Sequence, residues 1–298
     1  MINAYYEGMK KVIIVFVALT ALATSFLGAR AAFLGVPTGT GIGTGALNSP
    51  IGSGSSLNWS GYVATSGTYT GVGASWIIPQ VSAATGAALS ADATWVGIGG
   101  VASSDLIQAG TQTIIQNGTS TYEAWYETLP GNSVVVPLAV HPGDAMTVSL
   151  NETSASEWRV SIADVTTHQT FETSVSYVSA LSSAEWIQEM PSDARGFVPL
   201  DNFSAVPFTN GLAVTNGNRV TIAGANAAPL TMTTGAGGVL GSPTALGTDG
   251  ASFTVTRGNA ATTIVAPSPT PATIRVFFHR GRGRGRWQAS SAFRFFRD

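Results

Sequence analysis

An all-β architecture, an antiparallel β-sandwich, is what this 298-residue sequence predicts, on three observations. Short segments alternating polar and apolar residues recur about every ten positions from Leu57 to Val265. Threonine, valine and aromatic residues dominate them, and no stretch keeps a helical period over three turns. Turn sequences such as Pro130-Gly131-Asn132 and His141-Pro142-Gly143-Asp144 separate them.

The parts follow in chain order. Lys10-Lys11, the apolar run Val12 to Leu27 and the small residues of Ala29-Arg30-Ala31 have the pattern of a secretory signal peptide over residues 1–31. An apolar run of about sixteen residues is short for a bilayer span, which favours cleavage over anchoring. Residues 32–56 are rich in Gly, Ser and Thr and read as a linker or short pro-segment. The folded domain is expected over 57–265. Its strands are expected at Ser75 to Ile78, Ser133 to Val140, Met146 to Leu150 and Trp158 to Val165, then Phe171 to Tyr177, Arg219 to Ala223 and Ser252 to Thr256. Residues 266–298 open Pro-rich and end Arg/Gly-rich, as in Arg280-Gly281-Arg282-Gly283-Arg284, and read as a disordered tail without an assigned function.

Composition narrows the chemistry. The chain has no cysteine, which removes thiol catalysis, Cys-based zinc sites and disulfides, so the core alone must hold the domain. The net charge of −2 conceals an uneven distribution. Residues 31–274 hold four arginines and no lysine against 14 carboxylates, a formal charge of −10. Such a surface argues against nucleic-acid binding and suits work at low pH. His141, His168 and His279 lack the paired spacing of metal ligands. There is no Gly-x-Ser-x-Gly elbow and no Asp-Thr-Gly or Asp-Ser-Gly loop. Asn58, Asn117, Asn151 and Asn202 match glycosylation sequons, a frequent coincidence in a Ser/Thr-rich chain.

Strand alternation gives the remaining polar residues a direction. Glu123, Trp125 and Glu127 share one face of their segment, and Glu185, Ile187 and Glu189 share one face of theirs. Carboxylates beside tryptophans on a sheet face suit a groove for a polar chain. Taken alone, they also fit an ordinary solvated face.

Six segments occur in one order: Asn58-Trp59-Ser60-Gly61-Tyr62, Trp95-Val96-Gly97-Ile98-Gly99-Gly100, Leu106-Ile107-Gln108-Ala109-Gly110, Tyr122-Glu123-Ala124-Trp125-Tyr126-Glu127, Ala184-Glu185-Trp186-Ile187-Gln188-Glu189, and Val198-Pro199-Leu200 with Phe203-Ser204. Together they resemble the glutamic peptidase (eqolisin) family of secreted acid endopeptidases. The resemblance implies a concanavalin- or lectin-like sandwich of two bent sheets, with substrate across the concave face. It implies a catalytic pair of Gln108 and Glu189. Glu189, ionised in the resting enzyme, would take a proton from the attacking water, and the Gln108 carboxamide would stabilise the oxyanion. Trp59, Trp95, Trp125 and Glu127 take supporting and substrate-contact roles. Two departures stand out: the chain lacks the disulfides usual in fungal members, and Gly99 falls where some members carry an aspartate.

The expectation is therefore a secreted, extracellular endopeptidase with no cofactor and no metal. Its partners would be protein and peptide substrates, with no nucleic acid and no stable membrane association after signal cleavage, and it would act as a monomer. The alternative is a non-catalytic lectin-like carbohydrate-binding module, which would not require the pair Gln108 and Glu189.

Overall fold

A computed structural model describes residues 54–193 and 196–259. The expected signal peptide, most of the linker and the tail lie outside the described residues. No helix occurs among the described residues. The strands are β1 Gly54–Ser56, β2 Trp59–Ala64, β3 Tyr69–Ile77, β4 Val81–Ser82, β5 Leu89–Gly99, β6 Leu106–Gln116 and β7 Thr119–Thr128. Next come β8 Val134–Val135, β9 Ala145–Ser154, β10 Glu157–Asp164, β11 Gln169–Ser176, β12 Ala184–Glu189, β13 Ser192–Asp193 and β14 Gly196–Phe197. The last are β15 Asn202–Phe203, β16 Ala205–Thr215, β17 Asn218–Thr221, β18 Ala228–Thr233, β19 Val239–Pro243 and β20 Phe253–Arg257.

Most of them form one hydrogen-bonded path, β11-β10-β9-β3-β16-β20-β19-β18-β2-β12-β5-β6-β7-β8. The path doubles back on itself. Trp76, Val148, Val160 and Phe208 from one half share a core with Val96, Ile98, Ile107 and Trp186 from the other. Hydrogen bonds cross between the halves from Trp76 Nε1 to Thr111 Oγ1 (3.0 Å) and from Trp186 Nε1 to the Gly73 carbonyl (3.1 Å). The two sheets of the expected sandwich are thus halves of one ladder, joined through the short strands β18 to β20. Six tryptophans are almost fully buried. Each removes enough apolar surface from water to contribute about 4–5 kcal/mol before entropy is counted, which is how a disulfide-free domain is held.

Two boundaries differ from expectation. The folded part begins earlier than Leu57, because β1 pairs in parallel with β18, Ser56 opposite Met232. The run from Ser133 to Val140 forms a strand only at Val134–Val135, where it pairs with Tyr126 and Trp125. Pro137 has no N–H for a ladder, so Val136, Leu138 and Val140 line the core from irregular backbone.

Candidate active site

Strands β2, β12, β5, β6 and β7 are consecutive neighbours, and one of their faces packs into the main core. The other face carries a separate cluster that includes Trp59, Trp95, Trp125, Leu106 and Ile187. Register sets three rows across this second face. The first runs Trp59, Glu189, Ala93, Gln112, Glu123. The second runs Gly61, Ile187, Trp95, Gly110, Trp125. The third runs Val63, Glu185, Gly97, Gln108, Glu127.

Glycines make room for the tryptophans in the middle of this face. A Cβ on Gly97 would lie 2.8 Å from Cζ3 of Trp95, and one on Gly110 would lie 2.6 Å from Cβ of Trp95 and 2.1 Å from the Thr94 carbonyl oxygen. Trp59 meets Trp95 edge to face, with centroids 4.9 Å apart.

Glu189 is held at both oxygens. Trp95 Nε1 donates to Oε2 at 2.7 Å, and Asn58 Nδ2 donates to Oε1 at 3.1 Å. Gln108 Nε2 donates to Oε2 of Glu127 at 2.6 Å. A second cross-strand pair of the same kind, Gln112 Nε2 to Glu123 Oε2 at 2.9 Å, lies two rows away. Burial pushes the Glu189 carboxyl up to about 8. The Trp95 N–H opposes that rise, the Glu127 charge adds to it, and Trp59 and Asn58 again favour the ion. The Trp59 indole N–H makes no well-formed hydrogen bond, so its effect is that of a nearby dipole.

All six expected site residues, Gln108, Glu189, Trp59, Trp95, Trp125 and Glu127, lie on this face, and all are fully buried. A peptide therefore reaches them only once the face is uncovered. Gln108 and Glu189 sit diagonally, two strands and two rows apart, with Trp95 of the intervening β5 between them. Three expectations change in detail. Trp95 binds the Glu189 carboxyl, and Glu127 binds the Gln108 carboxamide, so both hold other side chains rather than simply lining a groove. Burial raises the Glu189 carboxyl to about 8, which in this closed setting favours its protonated form at acid pH over the ionised resting form that the resemblance implies.

Sequence reasoning missed Asn58 and Glu185 as site residues. Asn58 opens the first motif and matches a glycosylation sequon but was given no site role, yet it is 2 % exposed and bonded to Glu189, so the folded domain does not present it for modification. Its place next to Trp59, the residue paired with Glu189, was the available signal. Glu185 shares the Gln108 row across Gly97. Its carboxyl is pushed well above its ordinary value of 4.5 by burial, offset by Ser183 and reinforced by Asp105. Gly99 has φ +96°, and a Cβ there would lie 2.4 Å from the Asp105 carbonyl oxygen, so this position requires glycine. The Asp105 carboxyl itself comes within 3.1 Å of that point. No group of three or more possible metal ligands occurs among the described residues. His141 is exposed beside Asp144 in its turn, and His168 lies in the β10–β11 turn.

A mostly antiparallel sandwich with a buried carboxyl and carboxamide on one tryptophan-lined face defines a class of hydrolase, and comparison with known proteins agrees. Residues 57–257 match the family model described as the Peptidase A4 family. Aspergillopepsin-2 of Aspergillus niger is 28 % identical over 188 residues, covering 55 % of this chain and 67 % of that protein. The crystal structure of scytalido-glutamic peptidase with a transition state analog inhibitor aligns at a TM-score of 0.58 and 25 % identity, covering 67 % of this chain and 98 % of that one. Aspergilloglutamic peptidase from Aspergillus niger aligns at 0.51 and 27 % identity, covering 56 % and 99 %. The chain belongs to the Peptidase A4 family, the glutamic peptidases. It is a glutamic-type endopeptidase, a family membership that implies protein and peptide substrates.

Proposed function

We propose that this protein is a secreted, monomeric acid endopeptidase in which Glu189 and Gln108 carry out peptide hydrolysis without a metal. The observation that carries this reading is the double hydrogen bonding of Glu189 by Trp95 and Asn58 on the face that also presents Gln108. Those two N–H donors stabilise a carboxylate, whereas burial alone would keep the group protonated. When the face opens and water enters, the desolvation falls and the donors remain, so Glu189 ionises at a lower pH than in the closed site.

The ionised Glu189 then takes one proton from water as the water oxygen attacks the substrate carbonyl carbon. The carbonyl electrons move onto oxygen, and the Gln108 N–H donates to the oxyanion while Glu127 fixes the carboxamide plane. As the C–N bond breaks, the proton on Glu189 passes to the leaving nitrogen and the base is regenerated. The buried indoles of Trp59 and Trp125, whose N–H groups make no well-formed hydrogen bond, suit contact with the carbonyls of an extended peptide.

Glu185 is the competing base, being level with Gln108 in register. Neither of its oxygens has a well-formed hydrogen bond, so its anion lacks the support that Glu189 receives. Denatured protein substrate incubated with the purified enzyme at pH 3–4 tests the reading. Hydrolysis insensitive to pepstatin and to a chelator is expected, because the proposed chemistry uses neither an aspartate pair nor a metal. Inhibition by either reagent would refute it.

A further inference from the structure

Two residues at the start of the first motif, Ser56 just before it and Asn58 opening it, make a directed set of contacts. Ser56 closes strand β1, which pairs in parallel with β18 and so ties its backbone to the sheet opposite Met232. Its Oγ accepts from two backbone N–H groups, Asn58 N at 3.3 Å and Trp59 N at 3.1 Å. With its acceptor sites taken, the hydroxyl proton points to Oδ1 of Asn58 at 3.2 Å. That bond decides which way round the Asn58 carboxamide sits: Oδ1 faces the serine, so Nδ2 faces Oε1 of Glu189. The Asn58 carbonyl meanwhile accepts from Met190 N at 2.8 Å, so the same residue holds the Glu189 carboxyl and the backbone of the residue that follows it. Ser56 and Asn58 are both buried, at 4 % and 2 % exposure.

We propose that Ser56 and Asn58 form a positioning relay for the Glu189 carboxyl, in which Ser56 orients the Asn58 carboxamide and Asn58 holds Oε1 while Trp95 holds Oε2. This rests on Glu189 being the base, as proposed above, and extends the site to a residue outside the stretch that matches the family. Two donors on different oxygens fix the plane of the carboxyl as well as its charge. A base held by Trp95 alone could rotate about its terminal torsion and lose alignment with the water. Neither residue touches substrate in this scheme. Besides Asn58 itself, the side chains acting on Glu189 are Glu127 from β7, Trp95 from β5 and Trp59 from β2, and none of these is substituted in the relay variants.

Asn58→Leu keeps the shape and removes the donor, and Ser56→Ala removes the orienting hydroxyl together with the acceptor for the Asn58 and Trp59 backbone N–H groups. Both are compared with wild type by steady-state kinetics on a peptide substrate across pH 2–7, with thermal melting to verify folding. Asn58→Leu is expected to lower kcat about tenfold, the loss of one charge-assisted hydrogen bond, while KM changes little. The acid limb of its kcat/KM profile should move up by about one pH unit, because the lost donor favoured the ionised base. Ser56→Ala should shift the limb in the same direction by less, and Ser56→Thr, which keeps the hydroxyl, should restore it. If Asn58→Leu does not fold, Ser56→Ala and Ser56→Thr still give the result. Carboxyl NMR titration of Glu189 in the same variants reads its ionisation independently of catalysis. Folded variants with an unmoved acid limb and an unmoved Glu189 titration would overturn the relay. Should Glu189→Gln itself remain active, the failure belongs to the assignment of the base and not to the relay.

Discussion

Glu185 and Glu189 stand four residues apart on one strand face, both fully buried, and what separates them is the donors within reach. Glu189 has an indole N–H and a carboxamide, whereas Glu185 has the weak support of Ser183 and the repulsion of Asp105. A carboxyl without donors in such a setting stays neutral and acts as a structural acid. Glu185→Gln should therefore retain activity within about threefold and raise the melting temperature near neutral pH, since it removes a group that resists ionisation there. Loss of most activity in a folded Glu185→Gln variant would move the base to that residue. The sequence pattern named Glu189 and Gln108 through six ordered motifs, but it could not show that Trp95 and Glu127 serve to hold them. Those contacts join residues 94 and 19 positions apart, and only strand pairing reveals them.

The central strands β5 and β6 are buried on both faces, so their residues show none of the in-out alternation that marked β9 and β10 in the sequence. That is why the edge half of the fold was legible as strands while the site-bearing half was legible only as motifs. Strand β1 was read as linker because three small polar residues carry no periodic signal. Its pairing with β18 is a property of the assembled sheet. Register also raises a choice the motifs did not: Gln112 lies in the row of Glu189 across the small Ala93, whereas Gln108 is two rows off. If Gln108 stabilises the oxyanion, Gln108→Ala should lower kcat by about 100-fold or more, and Gln112→Ala by less than tenfold. The reverse order would assign the oxyanion to Gln112. Gly110→Ala should cost about 1–3 kcal/mol in urea unfolding, because the new methyl meets the Thr94 carbonyl and Trp95.

At the scale of the domain, several buried carboxyls among the described residues have raised affinities for protons. Asp92 is pushed to about 6 and Asp201 to about 8, chiefly by burial, and Glu185 and Glu189 are raised as well. Asp92 accepts from Gln188 Nε2 at 2.6 Å behind the active-site strands, and its charge acts on Asp201. These groups ordinarily ionise near 3.8 to 4.5. A carboxyl that binds its proton more tightly when folded contributes stability that is complete below about pH 4. That contribution is lost as pH rises through 6 to 8, where the folded state must ionise or open. Acid therefore stabilises this fold, consistent with the carboxylate-rich, lysine-free composition. The melting temperature should fall by roughly 10 °C or more between pH 4 and pH 8, and Asp201→Asn should flatten that fall. A melting temperature that rises over this range would show that these carboxyls are already ionised in the folded protein.

The most direct measurement is kcat/KM of Glu189→Gln on a peptide substrate at acid pH, with melting temperature recorded on the same preparation. A fall of about 1,000-fold or more in a protein that melts no lower than wild type is expected. Activity within tenfold of wild type from the folded variant would show that hydrolysis does not pass through this carboxyl.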